Sequence, residues 1–427
     1  MAERVDVARV QLWDHDLGAV SWDEGRRLAT FEYFPSFIAS GLEVAPLMMP
    51  LRAGFFSFPE LASSSYRGLP GLVADSLPDR YGNDLIDSWL ASQGRDPASF
   101  SPIERLCYVG SRGMAALEYH PAVAGRDASS PVRVDQLAAL AEKMLRSRRG
   151  LQVDLDDDGL AELLLVGTSA GGARAKAIVA WNPQTDEVRS GQVPAPAGFE
   201  YWLLKFDGVG SSDHDLTDAE GYGRIEYAYN LMAAAAGIEL PPSRLFEDAG
   251  GRAHFMTKRF DRTDGGNKLH MQTLSALAHL DYNGAGAHSY ERALAITLQL
   301  CGAADVEQLF RRSIFNILSR NQDDHTKNIS FIMGRDGAWR LSPAYDVTWA
   351  FNPTGRWTSQ HQMTVAGKRD EFVRSDLLSV AQTAGVRQAD AIIEDVATAV
   401  ADWERHAAEG SVDADYIERI SSTHRIL

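Results

Sequence analysis

The sequence contains little cysteine, no long apolar run and no signal-like N-terminus. Its 427 residues include only two cysteines, Cys107 and Cys301, and no C-x-x-C pair, which excludes a disulfide framework and a zinc ribbon. No uninterrupted apolar stretch approaches the roughly 18 residues that a membrane span requires. The segment Met-Ala-Glu-Arg-Val-Asp at the start lacks an apolar signal core. We therefore expect a cytoplasmic protein without a membrane span.

Positive charge is also scarce. The chain carries 42 Lys and Arg against 58 Asp and Glu, a formal net charge of −16, and it has no run of five or more Lys or Arg residues. Because an acidic surface repels phosphate backbones, we expect no direct contact with nucleic acid. The apolar fraction of 45% is that of an ordinary globular protein.

Local patterns divide the chain into three expected units, at residues 1–125, 132–265 and 266–427. The best linker signal is the Gly-, Ser- and Pro-containing stretch 124–131. The third unit is expected to be mainly helical. Hydrophobic periodicity and turn residues predict strands at 5–13, 28–34, 176–181, 201–206, 244–247 and 253–257, turns at 14–18 and 248–251, and helices after Asp79 and at 135–146 and 226–236.

The strongest chemical signal lies near residue 325. Asp323 and Asn328 show the Asp-x-x-x-x-Asn spacing of a kinase catalytic loop, between a helix-spaced apolar run and a strand. A third polar residue, Asp346, follows a second strand beyond a turn at 334–337. Asp323 can act as a general base, and Asn328 and Asp346 offer the oxygen ligands that Mg²⁺ prefers. A polar helix end with Asp346 as a capping residue is the simpler alternative, but the combined pattern favours phosphoryl transfer.

Two neighbouring residues bear on this assignment. Asp324 adjoins Asp323 but leaves one residue fewer before Asn328, so Asp323 is the favoured base. Lys327 precedes the expected metal amide and is a candidate for neutralising the transferred phosphoryl group. A solvated loop lysine is an equally good interpretation of Lys327.

A loop of small residues, 167–176, precedes the strand predicted at 176–181. Small side chains at Ser169, Gly171, Gly172 and Ala173 would let the backbone approach phosphate oxygens closely. The loop lacks the Gly-Lys-Ser/Thr of a P-loop, so on its own it also fits a flexible connection.

Lys205 ends an apolar strand pattern, Tyr-Trp-Leu-Leu-Lys, where its amine must reach water or an anion. In kinases such a lysine contacts the nucleotide phosphates and a helix glutamate, and Glu226 at the start of the next predicted helix is the expected partner. An edge-strand lysine and a solvated helix acid are the alternative readings.

The segment 255–262 is predicted to be a strand that runs into a linker between two lobes. An adenine ring would contact its backbone near Lys258, and Phe260 could cover the base. Arg259, Asp261 and Arg262 could lock the linker through ion pairs. Without the other motifs, a charged strand end would be the preferred interpretation.

Taken together, these motifs resemble the HipA-like serine/threonine kinase toxins. Residues 169–176 are similar to the family's phosphate-binding loop, 256–262 to its Glu-Arg-Phe-Asp-Arg hinge, 323–328 to its Asp-Gly-His-Ala-Lys-Asn catalytic loop and 343–346 to its Pro-x-Tyr-Asp metal motif. Lys258 departs from the family, which commonly has a glutamate there, so adenine contacts at this position must come from the backbone.

The resemblance implies an α+β, two-lobed protein-kinase-like fold with a mixed α/β N-terminal subdomain and a mainly helical C-terminal lobe. It also implies ATP and Mg²⁺, a serine or threonine target such as one in a translation enzyme, and autophosphorylation. The matching modification site is Ser169, with Thr168 as its neighbouring alternative. A helix-turn-helix antitoxin, HipB-like, would complete a type II toxin–antitoxin pair and supply the surface that binds DNA.

Two other functions stay open at this point. One is a catalytically quiet binding module that works as a co-repressor with a DNA-binding antitoxin. The other is a small-molecule kinase on the same scaffold, since the sequence does not distinguish a protein hydroxyl from a metabolite hydroxyl.

Overall fold

The computed structural model describes residues 4–122, 129–148, 157–167, 174–209 and 220–426. These residues form three sheets, each built from antiparallel neighbours, with helices packed around them. The expected α+β, two-lobed kinase-like architecture is confirmed. The expected linker at 124–131 falls mostly outside the described residues.

The first sheet has five strands and belongs to the N-terminal part of the chain. They are β1 (Val7–Leu12), β2 (His15–Asp23), β3 (Leu28–Tyr33), β4 (Phe55–Phe56) and β5 (Leu117–His120), in the spatial order β4-β3-β2-β1-β5. Alternate residues of β1 are buried, because only one face of the strand packs on a core. The turn predicted at 14–18 is wrong: the chain reverses at residues 13–14, and β2 begins at His15.

Five helices accompany this sheet. They are α1 (Pro35–Ile38), α2 (Ser63–Tyr66), α3 (Gly71–Ala74), α4 (Arg80–Ser92) and α5 (Pro102–Val109). The predicted helix after Asp79 is confirmed as α4. The Asp79 carboxylate caps it by accepting a hydrogen bond from the backbone N–H of Gly82 at 2.6 Å.

The second sheet forms the smaller lobe. Its region contains α6 (Val134–Arg148), α7 (Asp157–Gly167), β6 (Lys176–Trp181), β7 (Val188–Ser190), β8 (Glu200–Lys205), α8 (Tyr222–Ala235), β9 (Ser243–Glu247) and β10 (Ala253–Lys258), with the strand order β7-β6-β8-β10-β9. The four predicted strands are confirmed. Helix α7 was not predicted, and α8 begins at Tyr222, so Glu226 lies in its second turn rather than at its start.

The larger lobe is mainly helical, as expected. It contains β11 (His270–Thr273), α9 (Leu274–Ala278), α10 (Tyr290–Leu300), α11 (Ala303–Leu318), β12 (Ser330–Met333), β13 (Trp339–Leu341), α12 (Arg374–Ala384), α13 (Ala389–Ala401), α14 (Trp403–Glu409) and α15 (Ala414–Ser421). The small sheet β11-β12-β13 carries the expected hairpin between β12 and β13. Among the described residues, no helix combines the length and apolar character needed to cross a membrane.

Two hydrophobic cores join the N-terminal part to both lobes. One core brings residues of the first sheet, such as Phe31, together with Phe315 and other residues of the larger lobe. The second core brings Tyr81 and Leu85 of α4 together with Val179 and other residues of the second sheet. The N-terminal part therefore packs across both lobes, and burial of apolar surface holds all three regions together.

Candidate functional site

The catalytic-loop candidates lie between α11 and β12. Helix α11 ends at Leu318, and an irregular segment leads to a short 3₁₀ turn at Thr326–Asn328. The Asn328 side-chain Nδ2 donates a hydrogen bond to the Asp323 backbone oxygen at 2.7 Å. This bond closes the loop, brings Asp323 and Asn328 together and leaves the carboxamide oxygen of Asn328 as the group that can bind a cation.

The two adjacent aspartates differ in their surroundings. Asp323 is half-buried, whereas Asp324 is 3% exposed and points into the protein. Asp324 accepts hydrogen bonds from the Tyr290 hydroxyl at 2.9 Å, from His361 Nδ1 at 2.8 Å and from the Gln362 backbone N–H at 2.7 Å. Because its carboxylate already has these protein donors, Asp323 is the better candidate for a base that faces a substrate.

Lys205 lies at the centre of an ion-paired cluster. Its Nζ is 2.5 Å from Glu226 Oε1, and it also donates a hydrogen bond to Asp346 Oδ1. The side chains of Lys205 and Glu226 are 12% and 2% exposed, whereas that of Asp346 is 34% exposed. The structure therefore brings together Lys205 from β8, Glu226 from α8 and Asp346 from beyond β13, as the sequence predicted for Lys205 and Glu226.

Asp346 is anionic and its backbone is strained. Burial opposes its ionisation, but the Lys205 ammonium outweighs burial and lowers the pKa of this carboxyl to about 2. Its φ of 52° lies in the left-handed region, which costs a non-glycine residue about 1–3 kcal/mol.

Contacts with the segment 321–327 fix the segment that carries Asp346. The hydroxyl of Tyr345 donates a hydrogen bond to the Lys327 backbone oxygen at 2.6 Å. Asn321 Nδ2 donates to the Asp346 backbone oxygen at 3.4 Å. The segment that carries Asp346 is therefore attached at two points to the segment that carries Asp323 and Asn328.

Sequence reasoning placed Lys176 at the end of the loop 167–176 but gave it no role of its own at this site. Lys176 on β6 lies directly opposite Lys205 on β8, and residues paired in this way project from the same face of a sheet. Its Nζ is 3.0 Å from Asp79 Oδ2, with both side chains buried. The available signal was the pattern Lys-Ala-Ile-Val-Ala-Trp, which is a lysine at the end of an apolar strand like that of Lys205.

The hinge candidates have different environments. The Lys258 ammonium pairs with Glu200 at 3.1 Å and Asp264 at 3.0 Å, and its backbone N–H donates to Pro242 O at 2.8 Å. Its N–H is therefore already engaged, which leaves the Lys258 carbonyl for an adenine contact. The Phe260 ring lies 5.8 Å from the ring of Tyr345, the residue before Asp346.

The expected ion pairs of the hinge are present. Asp261 accepts hydrogen bonds from Arg259 at 2.9 and 2.7 Å and from Arg262 at 2.7 Å. It also accepts one from the Ala115 backbone N–H at 2.7 Å, while Arg262 donates to the Gly113 oxygen at 3.0 Å. Burial opposes ionisation of Asp261, but the two guanidinium groups depress its pKa far below the usual range. The N-terminal part thus holds the hinge directly.

Lys327 contacts an aromatic ring, whereas the predicted small residues at 168–173 lie outside the described part of the chain. Lys327 Nζ lies 4.9 Å above the Tyr282 ring, a cation–π contact at the edge of the site. Ser169, Gly171, Gly172 and Ala173 lie outside the described residues, as does Thr168. The described strand β6 begins three residues beyond that stretch, at Lys176.

The oxygen ligands that this site offers suit Mg²⁺ only when a phosphate completes the coordination. Mg²⁺ is usually held by one or two carboxylates, waters and substrate phosphates rather than by a cage of protein groups. Asp346 offers an ionised carboxylate, and Asn328 offers a carboxamide oxygen. Over the residues that the structure describes, no cluster of three His, Cys, Asp or Glu side chains forms a self-sufficient metal site.

Family models match most of the chain. The model of the HipA-like C-terminal domain matches residues 168–403, which is more than half of the sequence. The model of the HipA N-terminal domain matches residues 8–120.

Curated relatives match over shorter stretches. A Haemophilus influenzae protein named "Putative kinase" is 30% identical over 134 residues, which cover 28% of this chain and 39% of that protein. A Sinorhizobium fredii protein, "Putative kinase Y4dM", is 28% identical over 170 residues, which cover 36% of this chain and 39% of that protein. The matches thus span about two fifths of the relatives' length.

The fold matches a solved structure over nearly the whole chain. The complex of HipA, HipB and operator DNA from the Shewanella oneidensis MR-1 toxin–antitoxin system has a TM-score of 0.66 and 15% identity. The match covers 97% of this chain and 95% of that one. The presence of operator DNA in that complex is at odds with our expectation that this chain makes no direct contact with nucleic acid, and we do not retain that expectation.

Proposed function

Because the chain belongs to the HipA-like family, we propose that it is an ATP- and magnesium-dependent serine/threonine protein kinase that acts as the toxin of a toxin–antitoxin pair. The observation that carries the proposal is the ion-paired cluster of Lys205, Glu226 and Asp346 beside the loop that holds Asp323 and Asn328. These are the residue types that phosphoryl transfer requires for positioning and charge neutralisation.

Each side chain has a distinct role in this proposal. Asp323 accepts the proton of the attacking hydroxyl, which it can do because its side chain is only half-buried. Lys205 contacts the nucleotide phosphates, and Glu226 keeps the lysine in place. Lys327 neutralises charge on the transferred phosphoryl group. Mg²⁺, held by Asn328 and Asp346 together with the phosphates, would supply further positive charge at the same place.

The cradle for the phosphates would come from two sides. Ser169, Gly171, Gly172 and Ala173 would offer backbone N–H groups, a role that rests on the family resemblance. Lys176 would add a second ammonium, since it projects from the same sheet face as Lys205. The adenine would sit against the Lys258 carbonyl and the Phe260 ring.

Self-modification follows from the same resemblance. A phosphate on Ser169 would place about −1.5 to −2 charges where the nucleotide phosphates bind. It would therefore silence the enzyme by repulsion. Whether Ser169 or Thr168 carries the phosphate is decided by mass spectrometry of the self-labelled protein.

A HipB-like antitoxin is the proposed partner, and a protein hydroxyl, such as one in a translation enzyme, is the proposed target. The Shewanella relative forms a complex with HipB and operator DNA, which supports this assignment. A protein with a net charge of −16 would gain most of its DNA affinity from such a partner. The presence of Lys205, Glu226, Asp323, Asn328 and Asp346 together favours catalysis over a quiet binding module.

Calorimetry with ATP tests the proposal. Wild-type protein should bind ATP more tightly with Mg²⁺ than with EDTA, and Asp346→Asn should lose that difference because it removes the ionised ligand. Glu404→Gln is the control, since this acid lies on α14 in the helical lobe. Absence of ATP binding by the wild type, with or without Mg²⁺, would refute the kinase assignment.

A further inference from the structure

A buried network connects the catalytic loop to a residue beyond the last helix. Asp324 is its first member, and three donors from α10 and the segment before α12 hold its carboxylate. Asp324 adjoins the proposed base, Asp323. Any movement of Asp324 would therefore displace Asp323 relative to the substrate hydroxyl.

Histidine 361 is the second member, and its bonding pattern fixes its tautomer. His361 is fully buried, with Nδ1 2.8 Å from Asp324 and Nε2 2.8 Å from Arg425 Nη1. A guanidinium only donates hydrogen bonds, so Nε2 must accept from Arg425. The ring proton then lies on Nδ1 and is donated to the Asp324 carboxylate.

Arg425 is the third member and contacts the end of α11 and the start of the segment that follows it. Its Nη1 donates to the Ile317 oxygen at 2.8 Å, in the last turn of α11, and its backbone N–H donates to the Leu318 oxygen at 2.9 Å. Its Nη2 donates to Gln322 Oε1 at 3.3 Å and pairs with Asp370. One side chain therefore holds the helix end, the loop start and the histidine that orients Asp324.

We propose that Arg425 and His361 are positioning residues for phosphoryl transfer, which act on Asp323 through Asp324. This inference rests on the proposed kinase function. The partners of Arg425 described above are not proposed nucleotide-binding residues, so Arg425 can influence the geometry of the base without touching nucleotide. The segment after α15 would then be part of the catalytic apparatus, although it carries no family motif.

The variants separate the links of the network. Arg425→Ala removes the guanidinium, and we expect the maximal rate of self-labelling with [γ-³²P]ATP to fall at least tenfold. The ATP concentration at half-maximal rate should change less than twofold, because the nucleotide contacts are on other residues. Arg425→Lys can still donate to some of the same acceptors and should recover part of the rate.

Two replacements of His361 test which side of the ring matters. Asparagine places an N–H near the position of Nδ1 and can still donate to Asp324. Glutamine places its amide near the position of Nε2 and can engage Arg425. If the network acts through Asp324, the maximal rate of self-labelling should be at least fivefold higher for His361→Asn than for His361→Gln.

Hydrogen–deuterium exchange provides a readout that does not depend on catalysis. In protein without nucleotide, Arg425→Ala should speed amide exchange in residues 320–329. Amide exchange in the paired strands β6 and β8 should stay at the wild-type rate. Arg374→Ala and His406→Asn are the controls, because Arg374 joins α12 to α13 and His406 is a buried histidine of α14. Both controls should retain the wild-type rate and the wild-type exchange in residues 320–329.

The outcomes are distinct. The proposal is overturned if Arg425→Ala and Arg425→Lys both fold and show wild-type amide exchange in residues 320–329. It is also overturned if the loss of labelling rate in Arg425→Ala is matched by an equal rise in the ATP concentration at half-maximal rate. If Arg425→Ala does not fold, Tyr290→Phe, which removes one donor to Asp324, must loosen the same residues or the proposal fails. A wild-type protein that shows no labelling refutes the kinase function, whereas the exchange data still decide whether Arg425 anchors the loop.

Discussion

Replacing Glu226 with glutamine probes the ion-paired cluster most selectively, because it removes one charge and keeps the size of the side chain. The Glu226 side chain is 2% exposed, and its Oε1 lies 2.5 Å from Lys205 Nζ. Loss of such a charge-assisted hydrogen bond costs about 1.5–3 kcal/mol. If this cost falls on the transition state, kcat/KM decreases roughly 10- to 150-fold, since about 1.4 kcal/mol corresponds to a factor of ten.

The second carboxylate gives this variant a further signature. Lys205 also pairs with Asp346, the proposed metal ligand. When Glu226 loses its charge, Lys205 is drawn more strongly to Asp346 and competes with the cation. The Mg²⁺ concentration needed for half-maximal activity should therefore rise in Glu226→Gln.

The assay is phosphoryl transfer from [γ-³²P]ATP over a range of ATP and Mg²⁺ concentrations. Glu247→Gln is the matched control, because Glu247 pairs with Arg224 on the surface with its side chain 63% exposed. An exposed ion pair contributes little to the stability of a protein. The Glu247→Gln control should therefore show the wild-type activity and the wild-type Mg²⁺ requirement. If kcat/KM and the Mg²⁺ concentration for half-maximal activity of Glu226→Gln both stay within twofold of the wild-type values, the role assigned to the cluster is refuted.

Three further predictions concern the surroundings of the site. Lys176→Met should destabilise the fold by about 3–5 kcal/mol in urea unfolding, because it leaves Asp79 buried without its partner, and adding Asp79→Asn should recover much of the loss. Asp261→Asn should also lower the free energy of unfolding by about 3–5 kcal/mol at pH 7. Because the pKa of Asp261 is depressed in the fold, the ionised carboxylate stabilises the protein fully above about pH 5 and loses this effect at lower pH. The free energies of unfolding of the wild type and of Asp261→Asn should therefore converge on acidification. Ser169→Ala should abolish self-labelling in the phosphate loop, and persistent labelling of the same peptide in mass spectra would assign it to Thr168 instead.

The loop that carries Asp323 and Asn328 and four of the five strands of the smaller lobe could be predicted because their signals are local. The spacing of Asp323 and Asn328 and the helix and hairpin around them are visible within a short window of sequence. The same is true of Lys205, whose apolar strand makes a charged end conspicuous. Strand β2 was not predicted, because its start, His-Asp-Leu-Gly, has the composition of a turn.

The role of Asp324 could not be read in this way. Its partner His361 lies 37 residues further on in an irregular segment, and Arg425 reaches Gln322 from 103 residues away. Such contacts depend on how α10, α11 and the chain after α15 pack, and no periodicity encodes them. The same reason hid the Lys176–Asp79 pair, which joins the N-terminal part to the smaller lobe.

Transfer of ³²P from [γ-³²P]ATP by wild-type protein and by Asp323→Asn tests the central claim most directly. We predict that the wild type labels a protein hydroxyl in the presence of Mg²⁺ and that Asp323→Asn binds ATP with wild-type affinity but transfers nothing measurable. Transfer by Asp323→Asn at the wild-type rate, or ATP binding without any transfer by the wild type, would contradict the account.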